Sequence, residues 1–519
     1  MAPATASFDY NDDGLFHVWL VTSIARQLTT APMRLHDVNI YYPEENSLRY
    51  ADSTIFPAAV AVPAWLLSGH PQLTHNVAWL LGFLLTGLGM YALVRSLTSD
   101  RFAALLAAVL FAFNPHVATR YPHIMATHLV WLAVACLALE RMRSNDAWRW
   151  PVLLGLAVVG SGATSGYQGV LVVILVGTLW LARAPEIIAA PARFLSRASV
   201  AIAAAAVTGW PLLAPWMTND GTQPVQSYAN LASYVATTSH IHWFWSRWLF
   251  ELGAGVTFFP GFVAVGLAAY GLWCECRHDR RRRETVIGYA ALCLVGLLVS
   301  LELPLFDLLR IVFSPAGAMR EVSRFGVLYL TGLAVMAGLG MAAVRRRCPG
   351  LRGELIAIGM IVVVSVELYA PPRVGPRRVL PAVYERVAQL PETTVLLELP
   401  LYPGGPYFGR SAQYVWASMH HWYPLINGYG SALPAGYRKR ARRLRRFPDN
   451  RSLRLLDELA VTAVLVHADK MPAASANAML AALQGHRRFR LLRNDGEGRY
   501  LFRYRPRAAR PRLAPGANE

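Results

Sequence analysis

The chain has 519 residues, is 55% hydrophobic and carries a formal charge of +19. In a soluble protein that charge would point to nucleic acid. Here the arginines sit in short turns between apolar runs of bilayer length, which excludes a nucleic-acid partner and indicates a polytopic membrane protein.

The chain opens on FDYNDDGLFHVW, where Asp9, Asp12 and Asp13 precede an apolar stretch. The spacing of residues 15–28, with Trp19 and Ile24 on one side, predicts a helix lying on the membrane surface. No signal peptide precedes the acids, so an exported acidic start has no visible segment to insert it. Residues 39–52, with Tyr41, Tyr42, Pro43, Glu44 and Glu45, read as an ordered loop. The run 55–67 is apolar but broken by Pro57 and Pro63, which suits an interfacial or re-entrant helix.

About ten transmembrane helices follow, at 74–97, 102–118, 124–142, 151–163, 167–182, 198–216, 253–273, 286–302, 325–344 and 355–369. Basic turns alternate with them: Arg95 and Arg101; Arg141, Arg143 and Arg149; Arg183, Arg193 and Arg197; Arg280 to Arg283; Arg345 to Arg347. Such turns face the cytoplasm. The opposite side then receives the acidic start, the turn with His116, His123 and His128, the loop 218–252, the loop 303–324 and everything after residue 370. In the loop 218–252, Trp243, Trp245, Arg247 and Trp248 read as an interfacial anchor or a sugar-stacking platform, and His240 and His242 as surface residues or a metal pair. Glu140, Glu302 and Glu367 all fall at span ends, which argues against ion-coupled transport. The five cysteines, Cys136, Cys274, Cys276, Cys293 and Cys348, lie in or beside the spans, so no disulfide framework holds the C-terminal region. Cys274 and Cys276 alone make a weak metal signal.

After a linker with Pro371, Pro372, Pro376 and Pro381 the pattern changes. Short helices are predicted at 383–390, 453–459 and 473–483, strands at 395–399 and 463–467, and a hairpin from 488–492 and 500–504 around Asn494-Asp495-Gly496. The expected fold class is therefore a polytopic α-helical membrane protein with a C-terminal extracytoplasmic α/β domain. Its parts are an acidic extracytoplasmic loop with a surface helix (1–53), a transmembrane helical domain (54–370) and the α/β domain (371–519). The run from Arg438 to Arg446 predicts a basic amphipathic helix, either a solvated face or a surface for anionic lipid or glycan.

The acidic loop leads on to YYPEENSLRYADS and LTGLGMYALVRSLTSDRFAALLAAVLFAFNPH, and later to MREVSRFGVLYLTGLAVMAGLG and HHWYPLINGYGS. Together these resemble the bacterial membrane proteins of the GT-C glycosyltransferase superfamily, over most of the chain. The resemblance implies residence in the bacterial inner membrane and transfer of a sugar from a polyprenyl-phosphate-linked donor to a glycan, lipid or protein acceptor. Membrane lipids are further partners. One departure stands out: the superfamily places a transmembrane helix before the acidic loop, and this sequence shows none, which suggests that Met1 is internal to a longer protein.

In that superfamily an Asp of the first extracytoplasmic loop acts as catalytic base or metal ligand. The matching residues are Asp12 and Asp13, with Asp9 a weaker candidate. A carboxylate can take the acceptor hydroxyl's proton; equally, these acids can cap the helix that follows. Arg320 and Arg324 stand just before the span at 325, where a guanidinium can hold a lipid phosphate or anchor in the headgroups, and Arg120 has the same logic. His123 is the candidate metal ligand should a divalent ion be used, the alternative being an interface histidine. His421, Trp422 and Asn427 combine imidazole, aromatic and amide groups suited to sugar recognition or to a packed turn. The rival functional reading is a non-catalytic membrane protein that binds or moves a lipid-linked glycan, or a scaffold for cell-envelope assembly.

Overall fold

The computed structural model describes residues 12–120, 123–217, 226–237, 242–243, 245, 256–313, 316–317, 319–371 and 378–507. Asp9, His240, Arg247, Trp248 and most of the loop 218–252 lie outside them. The chain forms two units, one of residues 53–61 and 76–374, the other of 1–52, 62–75 and 375–519.

In the first unit, every apolar stretch expected to span overlaps a helix, the run 253–273 only from Phe262 onward. Six helices are long and apolar enough to cross a membrane: Pro71–Thr98, Arg101–Thr119, Ile124–Ser144, Pro191–Met217, Arg280–Ser300 and Val322–Arg347. Four further apolar helices stand where spans are expected, and all four are shorter, Leu351–Glu367 being the longest at 17 residues. The helices Arg149–Thr164 and Gly166–Leu181 have 16 residues each, and Phe262–Glu275 has 14. At 1.5 Å per residue they extend only about 21–24 Å, short of a hydrocarbon core of about 30 Å.

The helix Gly326–Arg347 is the axis of this unit, buried from Gly326 to Ala343 at all but one position. It approaches Phe262–Glu275 so closely that a Cβ on Gly340 would meet the Leu267 carbonyl at 2.0 Å, and one on Gly271 the Met336 carbonyl at 2.4 Å. Small residues permit this backbone contact, the usual route to helix association in lipid.

The two sets of turns separate as the charge alternation predicts. Asp100 receives Arg345 at 2.6 Å, Glu275 receives Arg346 at 2.5 Å, and Glu354 receives Arg101 at 3.0 Å. Arg143 joins Glu140, Glu186 and Glu284, and Arg183 also pairs with Glu140. The basic turns are therefore stitched to acids on neighbouring helices. At the other helix ends, Ser227 bridges to Glu321, Ala229 to Leu301, and Tyr234 to the Ser300 hydroxyl at 2.6 Å. Here the helix Pro304–Val312 buries Phe306 and leaves Leu308, Ile311 and Val312 exposed, an amphipathic surface helix inside the loop 303–324.

The second unit is α/β. Strands β1 (Leu396–Leu399), β2 (Ala463–His467), β3 (Phe489–Asn494) and β4 (Arg499–Tyr504) form one sheet in the order β1-β2-β4-β3. β1 and β2 run parallel, and β4 pairs antiparallel with both β2 and β3. Helices Val383–Val387, Asn450–Glu458 and Ala473–Gln484 stand where the sequence predicts them.

The opening segment belongs to this unit, which corrects one expectation. The helix Asp12–Thr30 does not lie on a surface: every residue from Gly14 to Ala25 is buried, and a helix enclosed on all faces is a core helix. It packs on the helix Ser411–Ala417. Trp19 Nε1 donates to Asn39 Oδ1 at 3.2 Å, and Asn39 Nδ2 to the Ser418 hydroxyl at 3.1 Å. The loop 39–52 is tied in as well, since Tyr41 N and Tyr42 N donate to the carbonyls of Asn427 and Leu425 at 3.0 Å each. Residues 1–52 and the C-terminal region therefore share one unit instead of standing as separate domains. The basic run forms the helix Ala435–Leu444, with Tyr437, Ala441 and Leu444 inward and Arg440 paired to Glu44 at 2.8 Å.

Candidate functional site

Within the helical unit, Asn114-Pro115-His116 starts a short helix, Pro115–Thr119, whose Asn114 side chain accepts from Val117 N at 3.2 Å. Proline at the first helical position needs no donor there, so the turn is set locally. The chain leaves it at Arg120, whose guanidinium pairs with the Glu321 carboxylate. Tyr167 fixes the second strand of this site: its hydroxyl accepts from Arg320 N at 3.1 Å and from Glu321 N at 3.2 Å. The Arg324 guanidinium lies over the Tyr167 ring at 4.0 Å. Arg320 reaches within 3.9 Å of Glu321, with its side chain 58% exposed. Two guanidiniums, those of Arg120 and Arg320, thus face one carboxylate and a third, Arg324, lies on the Tyr167 ring beside them, and the net positive charge suits a phosphate.

His123 sits beside this group. Burial, followed by Arg324, Arg120 and Arg320, lowers its pKa to about 3. Three cations around an imidazole repel a divalent ion, so these surroundings do not fit the metal site expected of His123. Among the described residues no group of three or more His, Cys, Asp or Glu is placed to hold a metal. His116 instead stacks on Phe258 at 5.6 Å, and His128 Nε2 bonds the Ala78 carbonyl at 2.9 Å; both pack the helices.

Within the α/β unit, Asp12 and Asp13 stand in the first described turn of their helix, both half-buried. The Tyr429 hydroxyl donates to Asp13 Oδ1 at 2.6 Å. Gln413 Nε2 approaches Asp12 Oδ1 at 3.4 Å, and the same Gln413 accepts from Lys470 Nζ at 2.9 Å. A Cβ on Gly409 would meet Asp12 Oδ2 at 2.3 Å, so the glycine makes room for this carboxylate. Asp13 is the more firmly held of the two, and Asp12 the less committed.

His421, Trp422 and Asn427 take three different roles. Asn427 is fully enclosed, with its amide spent on the Glu398 backbone: Oδ1 accepts from Glu398 N and Nδ2 donates to Glu398 O, both at 2.8 Å. This places it in the packing of β1. Trp422 lines a cleft of about 500 Å³ with Arg26, Arg34, Glu44 and Glu45, its ring under the Arg26 guanidinium at 4.9 Å. His421 Nδ1 accepts from Tyr423 N at 3.0 Å, which requires an unprotonated nitrogen.

Burial, then His420, lowers the His421 pKa to about 3. A depressed folded-state value means that His421 contributes stability above the ordinary histidine pKa of about 6.5, lost progressively as pH falls through that value toward the folded one. NMR titration should find this imidazole neutral down to about pH 5. Replacing it by Phe should flatten the acid-side fall in melting temperature between about pH 6.5 and 4.

Sequence reasoning missed Tyr167 and Glu321, which organise the guanidinium group, and a buried trio in the α/β unit. There Glu398 Oε2 accepts from Tyr384 at 2.6 Å and meets His467 Nε2 at 2.7 Å. A signal existed for the trio: Glu398 is the one charge in the apolar run VLLELPL, and a buried charge needs partners.

A family model described as a domain of unknown function (DUF6311) matches residues 25–303. No curated protein matches the sequence. Among solved structures, the arabinofuranosyltransferase AftD from Mycobacteria superimposes over 97% of this chain with a TM-score of 0.55 and 14% identity. The chain spans 40% of AftD's length. ArnT from Cupriavidus metallidurans, in the apo state, superimposes over 96% of this chain and 95% of its own, with a TM-score of 0.50 and 13% identity. Both are GT-C glycosyltransferases, and the chain shares their fold.

Proposed function

This chain belongs to the DUF6311 family, a domain of unknown function, and we propose that it transfers a sugar from a polyprenyl-phosphate-linked donor to an extracytoplasmic glycan, lipid or protein acceptor. The observation that carries the reading is the grouping of Arg120 and Arg320 at Glu321 with Arg324 on Tyr167, at the helix ends opposite the arginine-rich turns. The positive-inside rule sets the arginine-rich turns in the cytoplasm and this cluster at the outer face, where a carrier's phosphate lies. Arg320, the most exposed of the three, makes the first contact with the phosphate, and Arg120 and Arg324 hold the charge that develops on it as the glycosidic bond breaks. Asp12 or Asp13 takes the proton from the acceptor hydroxyl. No metal is required by the phosphate group here, because guanidiniums already supply the positive charge.

Purified protein given a radiolabelled polyprenyl-phosphate sugar and an envelope extract as acceptor should release labelled product. Changing Arg320 and Arg324 together to Gln should lower turnover by about 100-fold or more, the scale of losing donors aimed at developing charge. Donor binding without turnover in the unaltered protein would instead identify a glycan-binding or transport protein.

A further inference from the structure

The α/β unit contains a second concave site, in addition to the Trp422 cleft and the groups assigned above. It opens beyond the carboxyl ends of β1 and β2, the two parallel strands of the sheet. Pro400 and Tyr402 follow β1, Lys470 follows β2, and the cavity between them measures about 820 Å³, the size of a small-ligand site. In open α/β sheets the crevice outside the carboxyl ends of parallel strands is where ligands bind, because the connections diverge there.

The lining chemistry is one-sided. Arg410, Arg445 and Lys470 contribute three cations, Tyr402, Tyr407 and Phe447 contribute aromatic surface, and no acid lies among the described lining residues. None of the three cations is ion-paired with a carboxylate among the described residues: Lys470 donates to the neutral Gln413 amide, and Arg410 lies over the Tyr407 ring at 4.7 Å. Asp469, the neighbour of Lys470 in the chain, is turned to Arg499 at 3.4 Å. Ser475, in the first turn of Ala473–Gln484, adds a hydroxyl at the rim, and that helix start has no side-chain cap.

We propose that this cavity binds a sugar unit bearing one acidic group, phosphate or carboxylate, with the guanidiniums on the anion and the tyrosine and phenylalanine rings against the apolar face of the sugar. Charge of one sign selects the anion, since guanidiniums pair bidentately with carboxylate and phosphate alike. The aromatic walls give the apolar contact that a bare anion cannot use. The site belongs to glycan recognition by the α/β unit and does not depend on the transfer proposed above.

The test is ligand-observed NMR on the full chain in detergent, with glucose 1-phosphate, glucuronate, glucose and inorganic phosphate as separate probes. Glucose 1-phosphate or glucuronate should bind at least about 10-fold more tightly than glucose and than inorganic phosphate, a difference of about 1.4 kcal/mol. Whichever acidic sugar binds identifies the anion used. Arg410→Gln with Arg445→Gln should lose that binding about 10-fold, whereas Arg320→Gln with Arg324→Gln should leave it intact. Tyr407→Ala, an exposed position that folding does not need, should weaken the sugar and leave inorganic phosphate unchanged. Equal binding of glucose, equal binding of inorganic phosphate, or undiminished binding in the Arg410/Arg445 variant would each overturn the proposal.

Discussion

Changing Asp12 and Asp13 together to Asn is expected to lower sugar transfer by at least about 100-fold while the protein still inserts and its unfolding temperature falls by no more than a few degrees, the scale of losing a charge at a helix start. The loss of transfer is on the usual scale for removing a general base. The fold should survive because Asn keeps the shape and an acceptor oxygen: the Tyr429 hydroxyl can still donate at position 13, and Gln413 can still approach position 12. What Asn lacks is a lone pair basic enough to accept the acceptor's proton. The single variants separate the two acids. Asp13 is committed through Oδ1 to Tyr429 at 2.6 Å, and its negative charge stabilises the first turn of its helix. Among the described residues, Asp12 has only the long 3.4 Å approach from Gln413. Asp12→Asn should therefore carry most of the loss in turnover, with Asp13→Asn changing it by less than about 10-fold. Undiminished transfer by the double variant would remove both acids from the chemistry, and the base would have to be sought elsewhere.

The long apolar runs were readable because hydropathy and turn charge are local properties. Each predicted span overlaps a helix, and the arginines between them meet acids such as Asp100, Glu275 and Glu354 on neighbouring helices. The parallel strands β1 and β2 were readable for the same reason, as short apolar runs bounded by turn residues. What could not be read was partnership at a distance. Residues 15–28 look amphipathic enough to lie on a membrane, and nothing near them announces the helix Ser411–Ala417 that covers the remaining face. His116, His123 and His128 lie within a dozen residues and invited a common role. Packing disperses them, one onto Phe258, one among three arginines and one to the Ala78 carbonyl. Arg120, Arg320 and Arg324 were legible as charged residues at helix ends, but their convergence depends on Tyr167 and Glu321, whose roles exist only in three dimensions.

Glu398→Ala is expected to be the most destabilising single change in the α/β unit, by about 3–5 kcal/mol, the cost of leaving two buried polar groups unpartnered at about 1–3 kcal/mol each. Glu398 is fully buried on β1, His467 is 2% exposed at the end of β2, and Tyr384 Oη donates to the same Oε2 that meets His467. Alanine would leave a hydroxyl and an imidazole without their acceptor in a site that water does not reach. It would also loosen the carboxyl ends of the two parallel strands, because the Asn427 amide is bonded to the backbone at the same residue. Glutamine retains an oxygen at the position of Oε2 and should cost about 1–2 kcal/mol. Thermal unfolding in detergent should show a fall of about 6–20 °C for the alanine variant, given about 2–4 °C per kcal/mol for a unit of this size. His467→Ala should cost a similar amount. The two losses should be strongly non-additive in the double variant, because each removes the other's partner. Additive losses would mean that Glu398 and His467 act separately, and that the ends of β1 and β2 are held by their backbone ladder alone.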